Sequence, residues 1–165
     1  MDTLGPLLIA YAIGCVSFAD IVGRLKGVDV RRHGSGNPGA TNVGRLLGPA
    51  WGRVVLVLDI VKGYAPTMLL AVPPWRWDAG GHVSIALAVV VGHVAPISSR
   101  FRGGKGVATM IGAFLALDAR VALVAMLVHL GVKLATGYVS IASVVMAWAF
   151  PRAGPPGPAA GRPRP

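Results

Sequence analysis

The sequence predicts an all-α, polytopic transmembrane bundle, and three observations carry that prediction. Hydrophobic residues make up 54% of the 165 residues, with a mean hydropathy of +0.65, which is rare in a soluble domain. The apolar residues fall in runs that approach the roughly 20 needed to cross a bilayer. The positive charge, net +10, collects in short loops between those runs.

The elements follow in order. Residues 4–22 form the first apolar run. No basic segment precedes it and it has no small-residue cleavage site, so it reads as a retained span rather than a removable leader. A basic, glycine-rich loop covers residues 23–48, and a second apolar run covers 51–72. Pro73-Pro74-Trp75-Arg76-Trp77-Asp78 reads as a turn whose tryptophans suit the membrane–water boundary. The third run is 82–97, followed by a second basic loop around 100–106. Three shorter runs come next, at 107–117, 121–134 and 138–150, with Asp118-Ala119-Arg120 as a turn between the first two. They are short for full spans and must tilt, extend into the loops or meet a thin bilayer. A re-entrant hairpin is the alternative for 107–134.

Six spans are therefore expected. The two basic loops should face the cytoplasm, which puts the N-terminus outside. Six spans that start outside also end outside, yet the tail carries Arg152, Arg162 and Arg164. Residues 1–150 read as one membrane-integral domain. Residues 151–165, rich in Pro, Gly and Arg, read as a disordered tail.

Charge grouped in juxtamembrane loops, not along a soluble face, argues against nucleic acid. The single cysteine, Cys15, cannot form an internal disulfide, and no Cys/His cluster has metal-ligand spacing, so no metal or cofactor is expected. None of the four histidines has an Asp five residues later. That excludes the His-x4-Asp pattern of the common acyl-carrier-dependent glycerolipid acyltransferases.

The first loop holds the most informative run, Gly34-Ser35-Gly36-Asn37-Pro38-Gly39-Ala40-Thr41-Asn42. Ser35, Asn37, Thr41 and Asn42 offer hydrogen bonds from a glycine framework, flanked by Arg31, Arg32 and Arg45. Glycines let backbone N–H groups turn toward one point, and the arginine fork suits phosphate oxygens. The second loop, Phe101-Arg102-Gly103-Gly104-Lys105-Gly106-Val107-Ala108-Thr109, fails the nucleotide P-loop pattern. Ser99 stands where its first glycine belongs, and Gly106 where its Mg²⁺-binding hydroxyl belongs. It reads as a phosphate nest without nucleotide or metal. Asp59 and Lys62, three apart on one helical face, read as a structural pair inside the second run. Asp20 and Asp29 balance the arginines of the first loop, and His93 reads as a helix-end or packing histidine rather than a base. Ser140 either caps the last helix or donates to a ligand.

Taken together, these segments resemble the bacterial acyl-phosphate:glycerol-3-phosphate acyltransferase family. The matching pieces run from Asp29 through Val43, then Leu58-Asp59-Ile60-Val61-Lys62-Gly63, Gly92-His93, Phe101 through Thr109 and Tyr138-Val139-Ser140. The resemblance implies a multi-pass enzyme of the bacterial inner membrane, working at its cytoplasmic face. It implies transfer of an acyl group from acyl phosphate to the 1-hydroxyl of glycerol 3-phosphate, giving lysophosphatidic acid for phospholipid synthesis, with no metal. Carried over by position, Ser35, Asn37 and Lys105 are implied as catalytic contacts. Arg31, Arg45, Gly34, Gly36, Thr41, Gly103, Gly104, Gly106 and Ser140 are implied as substrate-binding, the last three glycines by presenting amides to a phosphate. Membrane lipid and an enzyme that supplies acyl phosphate are the implied partners.

The chain departs from the family pattern in two places. Gly14-Cys15-Val16-Ser17-Phe18-Ala19 stands where the family reads Gly-Ser-x-Pro-Phe-Gly. From Pro151 on, neither the family's seventh span nor its His-Arg-x-Asn motif is found. Two other readings remain: a catalytically impaired homologue that binds or regulates, and a small phosphometabolite transporter. A transporter favours an internal repeat or broken helices, and neither is expected from the sequence.

Overall fold

The computed structural model describes residues 4–70 and 79–137, and every regular element among them is a helix. The tryptophan turn at 73–78, the last apolar run with Ser140, and the tail at 151–165 lie outside the described residues. The chain divides into two compact units, Met1–Val124 and Ala125–Pro165. All the candidate site residues described lie in the first.

The first apolar run departs from the single uninterrupted span expected of it. It is broken into α1 (Leu4–Gly14) and α2 (Phe18–Leu25). Ser17 starts α2, its Oγ accepting the Asp20 N–H at 3.2 Å, as an N-cap serine does. The break frees backbone groups inside an apolar segment, and protein covers one of them. Lys62 Nζ donates to the Val16 carbonyl at 2.7 Å.

Part of the first basic loop is itself helical, contrary to the loop expected there. In α3 (Ala40–Leu47) Asn42 and Val43 are buried, while Thr41 and Arg45, four residues apart, share the exposed face. The longest helix, α4 (Pro49–Leu69), has 21 residues and so a length of about 30 Å. Its proline at the first position replaces an N–H that would have no helical partner. Helices α1, α2 and α3 all pack against it, as do α5 (Ala79–Val94) and α6 (Val107–Leu117). A 3-10 turn at Ile97–Ser99 follows α5, and α7 (Ala119–Thr136) completes the described elements.

Several of these contacts bring backbones together with no side chain between them. A Cβ on Gly14 would lie 2.9 Å from the Gly92 Cα, joining α1 to α5. A Cβ on Gly52 would lie 2.8 Å from the Gly44 Cα, joining α4 to α3. Gly63 on α4 and Gly112 on α6 meet the facing helix in the same way, at the backbones of Thr109 and Ile60. Small residues at such positions are how helices associate in lipid, where burial alone gives little drive.

Two apolar clusters fill the interior of the first unit. Ala10, Ile85, Ala86, Val89 and Ala113 tie α1, α5 and α6 together. Ala19, Val22, Val30, Val43 and Val55 lie under the first basic loop and anchor it to α2, α3 and α4. Large apolar residues such as Leu8, Val57 and Leu87 point outward, as a lipid-facing surface requires. Leu4–Leu25, Gly81–Ser99 and Ala119–Thr136 are long and apolar enough to cross a membrane.

Candidate active site

The first glycine loop is built around Asn42. This side chain is 1% exposed and reaches back from α3 into the turn. Its Oδ1 accepts the Ser35 N–H at 2.9 Å, and its Nδ2 donates to the carbonyls of Val30 at 2.9 Å and His33 at 3.1 Å. Gly34 and Gly36 flank Ser35 with φ of +62° and +68°, a conformation that side chains resist. A Cβ on Gly34 would also overlap Asn42 Oδ1. The loop therefore holds Ser35 at the exposed tip of a turn pinned from inside. Asn37 is half-buried beside Gly39, the residue that starts α3.

In the second loop Gly103 and Gly104 lie against the end of α5. Their N–H groups donate to the carbonyls of Val94 and His93, each at 3.1 Å. This corrects the expectation that both amides face a phosphate, because they are spent closing the C-terminus of α5. The glycines serve close approach instead. A Cβ on Gly103 would lie 2.6 Å from Pro96 Cδ, and one on Gly104 would overlap the His93 ring and lie 3.1 Å from the Pro38 carbonyl. Gly106, with φ of +75°, turns the chain into α6. Lys105 is exposed beside it.

The two loops meet. Arg31 is the clamp: Nε lies 3.0 Å from both oxygens of Asp20, one terminal nitrogen lies 2.6 Å from Asp20 Oδ2, and the other donates to the Arg102 carbonyl. The Pro38 carbonyl lies against Gly104 from the other side. Arg31 was expected to grip substrate; its fork is used first to join α2 to both loops, with one N–H left on each terminal nitrogen. Asp20 and Asp29 balance the arginines as expected, Asp29 pairing with Arg32 at 3.1 Å. Between the loops lies a small open cleft of about 180 Å³, mouth included, lined by the broken segment Gly14–Ser17 together with Arg31, Pro38, His93 and Gly104.

Two helices begin beside this cleft without side-chain caps. Gly39 starts α3 and Gly106 starts α6, and neither can supply a capping oxygen. The first N–H groups of a helix have no partner within it and favour an anion, as the helix dipole does. Each glycine loop thus leads into an uncapped helix N-terminus. Thr41 and Arg45 lie one and two turns into α3, on its exposed face.

Beneath the cleft lies a buried polar network. Lys62 pairs with Asp59 at 3.0 Å, with side chains 1% and 4% exposed, as the spacing of the two residues predicts. Lys62 Nζ also lies 2.9 Å from His93 Nδ1, and Thr109 Oγ1 lies 3.2 Å from the same nitrogen. His93 is the helix-end histidine expected, and it is also part of the cleft wall. The inward, loop-pinning role of Asn42, the clamp of Asp20 on Arg31 and the link from Lys62 to His93 were not expected from the sequence. Only Asn42 had a local signal, since the helical period of Val43, Leu46 and Leu47 puts it on their side of α3.

The sequence profile of the glycerol-3-phosphate acyltransferase family matches residues 4–154. The chain belongs to the glycerol-3-phosphate acyltransferase family. One family member, from Aquifex aeolicus, is 44% identical over 144 residues, covering 87% of this chain and 74% of the relative. Another, from Myxococcus xanthus, is 45% identical over 131 residues, covering 79% and 68%. Two crystal structures of PlsY, an integral membrane glycerol 3-phosphate acyltransferase, are also similar, each at 39% identity. The glycerol 3-phosphate form has a TM-score of 0.80 and the lysophosphatidic acid form 0.79. Each is matched over 91% of this chain and 74% of its own. Family membership makes this an integral membrane protein, in keeping with its outward apolar faces.

Proposed function

We propose that this chain transfers a fatty acyl group from acyl phosphate to the 1-hydroxyl of glycerol 3-phosphate, at the cytoplasmic face of a bacterial inner membrane. The observation that carries the reading is the clamped pair of glycine loops, each leading into an uncapped helix N-terminus. Two neighbouring anion sites suit a reaction between two phosphorylated substrates. Its relatives named glycerol-3-phosphate acyltransferase and the PlsY forms with substrate and product support the acceptor.

Acyl phosphate is a mixed anhydride and already activated. The acceptor hydroxyl attacks the acyl carbon, a new ester C–O bond forms, and the bond from acyl carbon to phosphate oxygen breaks. The departing phosphate takes the hydroxyl proton, so a strong protein base is not needed. The protein's part is to hold both anions in attacking geometry and to offset their charge. Lys105 supplies a point charge, and Ser35 and Asn37 supply polar contacts at the tip of the first loop. Arg45 and Thr41 line the approach along α3, and Gly34 and Gly36 shape the turn that presents Ser35. Arg31, Gly103, Gly104 and Gly106 keep the second loop in place.

The test uses the purified protein in detergent with acyl phosphate and labelled glycerol 3-phosphate. Lysophosphatidic acid should form, and Lys105→Ala should abolish most of it while the protein stays folded. Acyl-CoA in place of acyl phosphate should give no product; a preference for acyl-CoA would overturn the donor. The broken first segment favours a second reading, a phosphometabolite transporter. Uptake of glycerol 3-phosphate into liposomes without acylation would decide for it.

A further inference from the structure

We propose that His93 donates its Nε2–H to a phosphate oxygen of bound substrate, and that Lys62 is the positioning residue that keeps the proton on that nitrogen. The proposal rests on the cleft being the acyl-transfer site.

The Lys62 ammonium group has three N–H donors and no acceptor. Three acceptors surround it: Asp59 Oδ1 at 3.0 Å, the Val16 carbonyl at 2.7 Å and His93 Nδ1 at 2.9 Å. The Val16 carbonyl and His93 Nδ1 take hydrogen bonds from it, and Asp59 Oδ1 is its ion-pair contact. His93 Nδ1 must accept, and a neutral ring that accepts at Nδ1 carries its hydrogen at Nε2. The hydrogen-bond partners make this assignment.

Nε2 is the nitrogen packed toward Gly104, which lines the cleft together with His93. The ring lies so close to Gly104 that a Cβ there would overlap Nε2. His93 is 8% exposed, and among the described residues Nε2 has no hydrogen-bond acceptor. An N–H without a protein acceptor is left to donate to an oxygen of a ligand in the cleft. The surroundings select an anionic oxygen: Arg31 shares the cleft wall, and the uncapped starts of α3 and α6 are close by. The lone pair at Nδ1 is already engaged, so the ring is a donor and not a base.

Two substitutions separate the roles. His93→Asn keeps an acceptor near the Nδ1 position for Lys62 and removes the cleft donor. It should fold with an unfolding temperature near that of the parent and lose ~10- to 100-fold in kcat/KM, the effect of one hydrogen bond to a charged group. His93→Gln places an amide near the Nε2 position and leaves Lys62 short of an acceptor; it should retain more of the rate and unfold earlier. Varying each substrate in turn identifies the phosphate, because the KM that rises belongs to the one His93 contacts. Nitrogen NMR of histidine-labelled protein should show His93 protonated at Nε2, with that signal shifting as glycerol 3-phosphate or acyl phosphate is added. A His93→Asn protein with unchanged kcat/KM, a proton at Nδ1, or an Nε2 signal indifferent to both substrates would overturn the proposal. Absence of product from the parent protein would instead sink the acyl-transfer reading, and the NMR titration still tests the histidine.

Discussion

Replacing Asn42 by alanine should disable the first loop while leaving the helices in place. The substitution removes three hydrogen bonds, to Ser35, Val30 and His33. Their costs differ. Val30 is buried, so its carbonyl is left without a partner, at about 1–3 kcal/mol. Ser35 and His33 are exposed, so their backbone groups can turn to water, and each loss is nearer 0.5–1.5 kcal/mol. The sum is about 4 kcal/mol, or on the order of 1,000-fold in the fraction of molecules with the loop ordered, since 1.4 kcal/mol is tenfold. The rate of lysophosphatidic acid formation should fall by the same order, with little change in helical content by circular dichroism. Asn42→Asp is the sharper probe. It keeps an acceptor for Ser35 but sets a carboxylate against two carbonyls, so it should be no better than alanine. An Asn42→Ala protein with parental rate and thermal stability would refute the hub.

Two further outcomes are expected. Gly63→Ala places a Cβ 2.8 Å from the Thr109 carbonyl carbon and 3.0 Å from the Ala113 N, so α4 and α6 must separate. Folded protein recovered by size-exclusion chromatography should drop sharply, and recovery at the parental level would show that this contact yields easily. Arg31→Lys keeps the charge but cannot reach Asp20 and the Arg102 carbonyl together. It should fold normally and lose roughly tenfold in kcat/KM, the order expected for one charge-assisted hydrogen bond; an unchanged rate would mean the loops do not need the clamp.

The helices of the bundle were legible where a signal is local. The runs behind α4, α5, α6 and α7 stand out by length and apolarity, and Asp59 with Lys62 by a three-residue spacing within one run. The break at Cys15–Ser17 was not legible, because Cys15 and Val16 continue the apolar pattern. What stabilises it is Lys62, 46 residues away, reaching the Val16 carbonyl. Helix α3 was hidden for a different reason: Asn42 and Gly44 lower helix propensity, and burial of Val43 against the α2–α4 core overrides it. The site shows the same split. Glycines and arginines marked both loops, while the use of the Gly103 and Gly104 amides depends on where α5 ends. No local pattern announces His93 as a cleft residue, since its partners come from α4 and α6.

The glycine contacts between α1 and α5, α3 and α4, and α4 and α6 leave these pairs no slack. Where main chains touch, a helix cannot slide or roll without lifting its neighbour off entirely. Breathing of the bundle is therefore a poor route for a long hydrocarbon tail. On the proposed reading an acyl chain would thread in from the bilayer along an outer surface while glycerol 3-phosphate entered from the water above, so the two reactants would come through separate doors.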